Sequence, residues 1–217
     1  FVKYTINLKG TLPSMIKIYT DQSHVNDSLA FAELIKEADC LRGNVVVFDR
    51  GLRSRQAFDT FTQEDKYFVS RGNVNIRCKT LSTRNIPPRP EGSPLQIISD
   101  ETGLLICKKE KKSKHCYRLI KGKLDNSGEA ICFVTNMLDE NCYQIARWYK
   151  ERWEIELFFK FIKQHLNFKH LVSRDQNGIK VMLYMTMIVA TLIIAYKKIN
   201  AIKCFKIAKL KFELELG

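Results

Sequence analysis

The stretch NVVVFDRG, residues Asn44–Gly51, places four consecutive apolar residues directly before an acid, a base and a glycine. A continuous apolar run of this length predicts a β-strand that is buried on both faces, as in the sheets of α/β proteins. Asp49 then lies at the carboxyl end of that strand, where open α/β sheets commonly bind their ligands. The stretch therefore predicts an α/β fold with a candidate polar site at Asp49.

The segments around this strand carry further strand and helix patterns. Gly10-Thr11-Leu12-Pro13 joins two short β-rich runs, which predicts a hairpin. Asp27 or Ser28 can cap a helix whose apolar residues recur at helical spacing. The elements predicted for this part are a hairpin at 1–20, a helix at 27–38, the strand before Asp49, a short helix at 54–63 and a strand at 66–72.

The pattern changes between about Gly72 and Thr135. Four prolines interrupt this region, and four short runs typical of strands follow them: LQIIS, GLLICKK, CYRLIKG and AICFVTN. The lysine-rich stretch KKEKKSKHCYR predicts a hairpin whose charges either face solvent or contact phosphates. We therefore expect a β-rich insertion at 72–135 between a first α/β part at 1–71 and a helical last part at 136–217.

The last part carries two long helix patterns. One runs from about Asp139 to Leu166, and the other is NGIKVMLYMTMIVATLIIAYKK. The apolar core of the second, Val181 to Tyr196, is shorter than the roughly 20 residues that a bilayer span needs. A buried helix of a soluble domain is thus favoured over a basic protein anchored in a membrane by 181–196. The tail FKIAKLKFELELG fits either a helix or an edge strand.

Composition favours a nucleic-acid-binding protein with reduced thiols. The formal net charge of +13 in 217 residues favours a polyanionic partner, nucleic acid before membrane. The seven cysteines are an odd number without a C-x-x-C pair, which fits a cytoplasmic compartment better than a disulfide framework. A zinc site at Cys107, His115 and Cys116 has no standard spacing, so ordinary thiols are the favoured interpretation.

Four polar side chains recur along the helix predicted at 139–166. They are Tyr149, Arg152, Glu156 and Lys163. At about 100° per residue all four share one narrow sector, beside the apolar stripe of the helix. An i,i+4 ion pair between Arg152 and Glu156 is the plainer interpretation, but it does not account for the other two residues. An acid, two cations and a phenol on one rim suit a site that binds metal and phosphate together.

Together these segments resemble a known family. The pattern Tyr-x2-Arg-x3-Glu-x6-Lys resembles the motif of bacterial insertion-sequence transposases of the IS4 type, and VVVFDRG resembles the segment that carries their second acid. The β-rich segment lies where these transposases carry a β-strand insertion. The resemblance extends from Phe1 to about Tyr196, and it departs from the family at Leu52, where an aromatic residue is common.

The resemblance implies a DDE enzyme with an RNase H-like mixed sheet and flanking helices, interrupted by a β-rich insertion. Asp49 and Glu156 would be the catalytic residues and would bind Mg²⁺ or Mn²⁺. The residues expected to contact DNA phosphates are Tyr149, Arg152, Lys163 and Arg50. Water would first nick the transposon end, and the freed 3′-hydroxyl would attack further DNA.

The resemblance also implies the cellular setting. The expected partner is double-stranded DNA at the transposon ends and at the target, bound by a homodimer. We expect the protein in the bacterial cytoplasm, associated with the nucleoid and not with a membrane.

The resemblance further implies that the chain is truncated at its N-terminus. The first catalytic Asp lies on the first strand of an RNase H-like sheet, whereas the hairpin at 1–20 corresponds to the second and third strands. Neither Asp21 nor Asp27 is well placed to substitute. We expect the missing Asp and any DNA-binding domain upstream of Phe1, and we expect this chain alone to be inactive. The alternative is a catalytically inactive remnant that only binds DNA.

Overall fold

The computed structural model of the protein describes residues 3–19, 45–48, 55–106, 112–166 and 175–216. The strands in these ranges are β1 (Lys3–Lys9), β2 (Leu12–Tyr19), β3 (Val45–Phe48), β4 (Tyr67–Gly72), β5 (Cys78–Thr83), β6 (Leu95–Leu105), β7 (Tyr117–Leu124) and β8 (Ala130–Thr135). The helices are α1 (Arg55–Gln63), α2 (Cys142–Glu151), α3 (Trp153–His165), α4 (Gln176–Ile199) and α5 (Phe205–Leu216). The helix predicted at 27–38 lies outside the described residues.

The described residues form two compact units. The sheet unit is Asn26–Arg152, and the helical unit combines Phe1–Val25 with Trp153–Gly217. The predicted division at residues 72 and 136 rests on the change in sequence pattern there and stays a prediction.

A six-stranded mixed sheet forms the centre of the sheet unit. Its strand order is β3-β4-β8-β7-β6-β5, with β3 and β4 parallel and every other neighbouring pair antiparallel. Successive side chains of a strand point to opposite faces of a sheet. Phe68, Leu119 and Val134 accordingly pack in one core with α1, while Val69 and Ile145 pack in a second core with α2. The expected mixed sheet with flanking helices is confirmed.

The β-rich segment belongs to this same sheet. β8 pairs with β4 and β7, so the strands after residue 72 continue the sheet that β3 and β4 begin. LQIIS and GLLICKK are predicted as separate strands, but β6 is a single strand of 11 residues that includes all of LQIIS and the first three residues of GLLICKK. β5 has no counterpart among the predicted strands, because its side chains are mostly exposed and carry little apolar pattern.

Strand β3 is at one end of the described sheet. Its residues Val46 and Phe48 pack with the first core, and Val45 and Val47 pack with the second. Both faces of the strand thus pack in a core, as predicted, but only Phe48 is buried and the three valines are half-buried. The reason is its position, because β4 is its only partner among the described strands.

The helical unit contains a separate hairpin. β1 and β2 pair in antiparallel register, and Gly10 in their turn has a φ of 63°, a conformation that glycine adopts without strain. The hairpin packs Ile6, Leu8 and Ile16 against the core that α3, α4 and α5 share. The prediction that it supplies two strands of the main sheet is wrong for the described residues, where it forms a two-stranded sheet of its own.

The long helix predicted at 139–166 is two helices. Arg152 separates α2 from α3, with φ −54° and ψ −25°, and its backbone N–H bonds to the carbonyl of Tyr149 at 3.2 Å. A bond to the third preceding residue and these angles are typical of a 3₁₀ turn. The α-helical hydrogen-bond ladder is therefore interrupted at one residue of the predicted motif.

The C-terminal segments are both helical. α5 resolves the choice between helix and edge strand for the tail in favour of a helix. α4 is long and apolar enough to cross a membrane by length and composition alone, and a third of its most apolar window is buried. One face of α4 is buried as predicted, and its residues are Ile179, Leu183, Met187, Ala190, Ile193 and Ile194. The opposite face is exposed.

Candidate functional site

An aromatic cluster fixes the strand that leads to Asp49. Phe48, the last residue of β3, is buried with its ring 5.7 Å from those of Phe61 and Phe68. Phe58 and Phe68 stack at 4.8 Å beneath it. The sheet and α1 thus hold the carboxyl end of β3 by packing. Asp49 and Arg50, which follow directly in the sequence, lie outside the described residues.

Tyr149 and Arg152 form the first half of the predicted motif, in the sheet unit. The half-buried ring of Tyr149 packs 5.1 Å from Phe133 of β8. The guanidinium carbon of Arg152 lies over the same ring, 5.5 Å from its centroid. A cation in this position is attracted by the negative face of the ring. Tyr149 therefore serves as a support that joins Arg152 to the sheet.

Glu156 and Lys163 form the second half, in the helical unit. Glu156 is half-buried in the first turn of α3, where the helix dipole favours a negative charge. Lys163 is exposed in the last turn, where a positive charge is favoured, and its Nζ lies 5.7 Å from the centre of the Phe159 ring. Both charges therefore have electrostatic support from their own helix.

The structure describes two of the four residues on each compact unit. Tyr149 and Arg152 lie in contact on one unit, and Glu156 and Lys163 lie on the same helix of the other. Their shared sector depends on one continuous helix, which the turn at Arg152 interrupts. Their joint site, and its combination with Asp49, stays a prediction.

The metal-binding donors of the described ranges are dispersed. No group of three or more His, Cys, Asp and Glu side chains placed to hold a metal ion occurs in this part of the chain. Of the two predicted ligands, only Glu156 can be assessed, and one carboxylate does not make a site. Cys107 lies outside the described residues, so the zinc alternative is not tested either.

Two arginines line a cavity of about 410 Å³ beside the start of α2, but both are already engaged. Arg118 binds the Asp100 carboxylate through two nitrogens, at 2.7 and 2.5 Å, and both side chains are almost completely buried. Arg84 donates to the carbonyl of Leu138 and to Asp139. Both arginines of the cavity are therefore used in contacts that hold the sheet unit together, and the cavity is not an open anion site.

Sequence reasoning missed a second hydrogen-bond network, which centres on the carboxylate of Asp59 in α1. Its carboxylate accepts hydrogen bonds from the Tyr117 hydroxyl at 2.8 Å and from the backbone N–H groups of Lys114 and His115 at 3.3 Å. These contacts hold the end of the lysine-rich connection where β7 begins. No sequence pattern pairs a helical Asp with N–H groups more than 50 residues away, so nothing in the sequence marked it.

Two thiols in the sheet unit, buried Cys132 and half-buried Cys78, differ from ordinary cysteines. Burial raises the pKa of Cys132 to about 11, and burial also raises the pKa of Cys78. Both thiols therefore stay protonated and unreactive near neutral pH. This fits structural thiols and not nucleophiles.

The mixed sheet with a helix on each face, together with the motif on α2 and α3, defines an α/β domain of the RNase H-like class. Residues 5–192 match the family described as Transposase DDE domain. The chain belongs to this family, and the predicted relation to insertion-sequence transposases is confirmed.

Three bacterial relatives are similar to the chain. A candidate transposase for insertion sequence element IS4SA of Synechocystis sp. is 32% identical over 190 residues, 87% of this chain and 50% of the relative. The candidate transposase y4zB of Sinorhizobium fredii is 29% identical over 160 residues, 74% of this chain and 44% of its own. A candidate transposase for insertion sequence element IS5377 of Geobacillus stearothermophilus is 27% identical over 149 residues, which are 69% of this chain and 38% of the relative. The chain thus spans about half the length of these relatives or less.

Proposed function

We propose that the chain supplies the catalytic part of a transposase that cleaves DNA at the ends of an insertion sequence and joins the freed ends to further DNA. The observation that carries this proposal is the family match over 5–192, which includes both VVVFDRG and the Tyr-x2-Arg-x3-Glu-x6-Lys motif. Two of the relatives are named as candidate transposases for insertion sequence elements, which supports the same substrate.

The charge of the chain supports double-stranded DNA as its partner. A net charge of +13 attracts a phosphate backbone and releases its condensed counterions. We infer a homodimer in the DNA complex, because the two ends of an element must be held together for joining. We also propose that the protein acts in the bacterial cytoplasm, at the nucleoid and not in a membrane, because the DNA it would act on is there.

Asp49 and Glu156 are the proposed ligands of Mg²⁺ or Mn²⁺, since carboxylate oxygens are the donors that these hard ions prefer. A divalent ion bound there would polarise the scissile phosphate and lower the pKa of an attacking water. The half-buried position of Glu156 supports this role, because a partly desolvated carboxylate gains more from a bound cation than an exposed one does.

Arg152 is the proposed residue that binds a DNA phosphate. Its planar guanidinium can offer two parallel N–H donors to a phosphate, while the Tyr149 ring below holds the group in orientation. Tyr149 can also donate its hydroxyl to a phosphate near the scissile bond. Lys163, exposed at the end of α3, would contribute a positive charge that attracts a DNA phosphate. Arg50 would contact the DNA backbone near Asp49.

The test uses the protein that the gene encodes, with duplex DNA that carries the two ends of its own element. We expect binding that weakens with salt, and nicking that requires Mg²⁺ or Mn²⁺. Glu156→Gln should abolish nicking and leave binding largely unchanged, because only the ligand charge is removed.

Glu154→Gln is the matched control, since Glu154 lies in the same first turn of α3 but outside the motif. It should affect neither binding nor nicking, and equal loss from both changes would contradict the assignment of Glu156. Binding without any cleavage by the unaltered protein would favour the alternative of an inactive remnant.

A further inference from the structure

Helix α4 of the helical unit is apolar on two opposite faces. One face packs in the core with α3 and α5, through residues such as Met187 and Ala190. The other face exposes large aliphatic side chains to solvent, although a helix at the surface of a soluble unit normally carries polar residues there. This second face is a candidate surface for a partner.

The exposed face has the spacing of a helix-pairing seam. Its six positions alternate steps of four and three residues: Val181, Met185, Ile188, Leu192, Ala195 and Ile199. Five of them are between 49% and 82% exposed, and Ala195 is half-buried. A four–three alternation keeps every side chain on one stripe when two helices pack at about 20°, so the stripe fits another helix.

The size of the stripe is sufficient for a specific interface. None of its six positions is charged, although Lys197 and Lys198 adjoin its end, and from Val181 to Ile199 the helix rises about 27 Å. The exposed parts of these side chains and of Tyr184 amount to roughly 600 Å² in one copy, so two copies would bury on the order of 1,200 Å², the lower range of stable interfaces.

A groove lies beside the middle of the stripe. It has a volume of about 310 Å³ and is lined by Pro13 and Ile16 of β2 together with Ile188 and Leu192 of α4. An aliphatic side chain from a helix lying on the stripe would fill this groove. The stripe therefore offers both ridges and a hollow to an incoming helix.

We propose that the partner is a second copy of this chain, whose α4 packs antiparallel on the same stripe. With the two-fold axis level with Ala190, Val181 faces Ile199, Met185 faces Ala195 and Ile188 faces Leu192 of the other copy. All six positions are then paired, and the largest is matched with the smallest. A parallel pair would instead place Met185 on Met185 and Ala195 on Ala195, which leaves one layer crowded and another hollow.

This dimer requires no DNA and does not depend on the proposed catalytic function. It is a closed, isologous contact, in which each copy presents the same surface to the other. Its failure in the experiment below would leave the nuclease proposal unaffected.

The test measures the mass of the full chain by light scattering during gel filtration, in buffer without DNA or detergent. We expect twice the mass of the chain, and we expect Ile188→Glu to raise the dissociation constant about 100-fold or more, because its new carboxylate is buried against Leu192 of the other copy. Leu81→Glu is the matched control, since Leu81 is 57% exposed on β5 of the sheet unit. It should leave the dimer intact.

A charge pair tests the antiparallel register. The double change Ile188→Glu with Leu192→Lys places opposite charges in contact in the antiparallel pair, and like charges in contact in a parallel one. Restored dimerisation supports the proposal, whereas a monomer with unchanged helical circular dichroism overturns the register. A monomeric unaltered chain overturns the dimer, and so does a monomer that co-sediments with phosphatidylcholine vesicles, which would assign the stripe to a membrane.

Discussion

At the scale of single residues, the contact between Tyr149 and Arg152 gives the motif a physical explanation. A phenol and a guanidinium three residues apart are ordinary neighbours on a helix, but here the ring also packs on the sheet through Phe133. The Tyr149 ring holds the Arg152 guanidinium in place, whereas the Tyr149 hydroxyl can bind a phosphate independently of the ring. The two contributions can therefore be measured separately.

Replacing Tyr149 separates ring from hydroxyl. Tyr149→Phe keeps the ring beneath Arg152, whereas Tyr149→Leu removes it. Because a cation–π contact is worth up to about 2 kcal/mol, Tyr149→Leu should slow DNA strand cleavage roughly ten-fold more than Tyr149→Phe. Single-turnover cleavage rates measure this, with thermal melting to verify folding. Equal rates for the two variants would assign the role to the hydroxyl.

The buried pair of Arg118 and Asp100 is expected to be a large determinant of stability. Arg118→Met leaves the Asp100 carboxylate buried without its cation, which should lower the free energy of unfolding by about 3–5 kcal/mol. Urea denaturation measures the change. Adding Asp100→Leu should recover part of the loss, since no charge is then left unpaired.

The exposed pair of Arg147 and Glu151 is the control for this measurement. Their closest atoms are 3.9 Å apart and both side chains are more than 60% exposed. Arg147→Met should change the unfolding free energy by less than about 0.5 kcal/mol. A comparable loss from both arginine changes would show that burial is not what matters.

The thiols should differ in reactivity. Hydrogen bonds from the backbone N–H groups of Ile207 and Lys206 lower the pKa of exposed Cys204, while burial raises that of Cys132 to about 11. Iodoacetamide at pH 8, followed by peptide mass mapping, should modify Cys204 faster than Cys132. Fast modification of Cys132 in the native protein would contradict its burial.

The same shift predicts a pH dependence of stability. The folded pKa of Cys132 lies above its unfolded value, so its contribution is complete below about pH 9 and is lost as the pH rises towards 11. Cys132→Ala should therefore reduce the loss of stability between these values, in urea unfolding measured across that range.

At the scale of elements, sequence reasoning succeeded where a segment's own pattern decides its structure. The helix at α1 and the strands β4, β7 and β8 carry periodic apolar residues that the cores absorb. It failed at β6, because Asp100 in the middle of the run suggests a break. The charge is tolerated there only because Arg118 from the neighbouring strand neutralises it, which is a tertiary effect.

The sequence pattern also did not predict the interruption of the helix at Arg152. Residues 139–166 contain neither glycine nor proline, so local propensity favours one continuous helix. The turn coincides with the boundary between the two compact units, at Arg152 and Trp153. Where a helix is divided between two cores, its own sequence does not show the division.

The pairing of β5 with β6 depends on a glycine. A Cβ on Gly103 would collide with the Lys79 carbonyl oxygen and lie 2.7 Å from the Cys78 sulfur. Gly103→Ala should lower the unfolding free energy by about 1–3 kcal/mol and loosen β5. Hydrogen exchange of the β5 amides measures this, with exposed Ser82→Ala as control. Unchanged protection in Gly103→Ala would contradict the close approach.

At the scale of the whole molecule, the family and the fold class were predictable, and the completed site was not. Asp49 follows a strand whose end the sheet unit holds, while Glu156 lies on the first helix of the other unit. Sequence spacing can place each acid on its element. Sequence spacing cannot give the distance between the two carboxylates, because that distance depends on the tertiary contacts that assemble the two units.

We propose that Asp49 and Glu156 bind the same divalent ion, and iron-mediated cleavage of the polypeptide can show whether they do. Fe²⁺ that replaces Mg²⁺ reduces added hydrogen peroxide to hydroxide and a hydroxyl radical, ascorbate returns the Fe³⁺ to Fe²⁺, and the radicals cut the backbone beside the bound ion. A shared ion predicts cuts next to both Asp49 and Glu156, competed by Mg²⁺ and lost together in Glu156→Gln but not in Glu154→Gln. Cuts at only one of the two positions, or elsewhere in the chain, would contradict it.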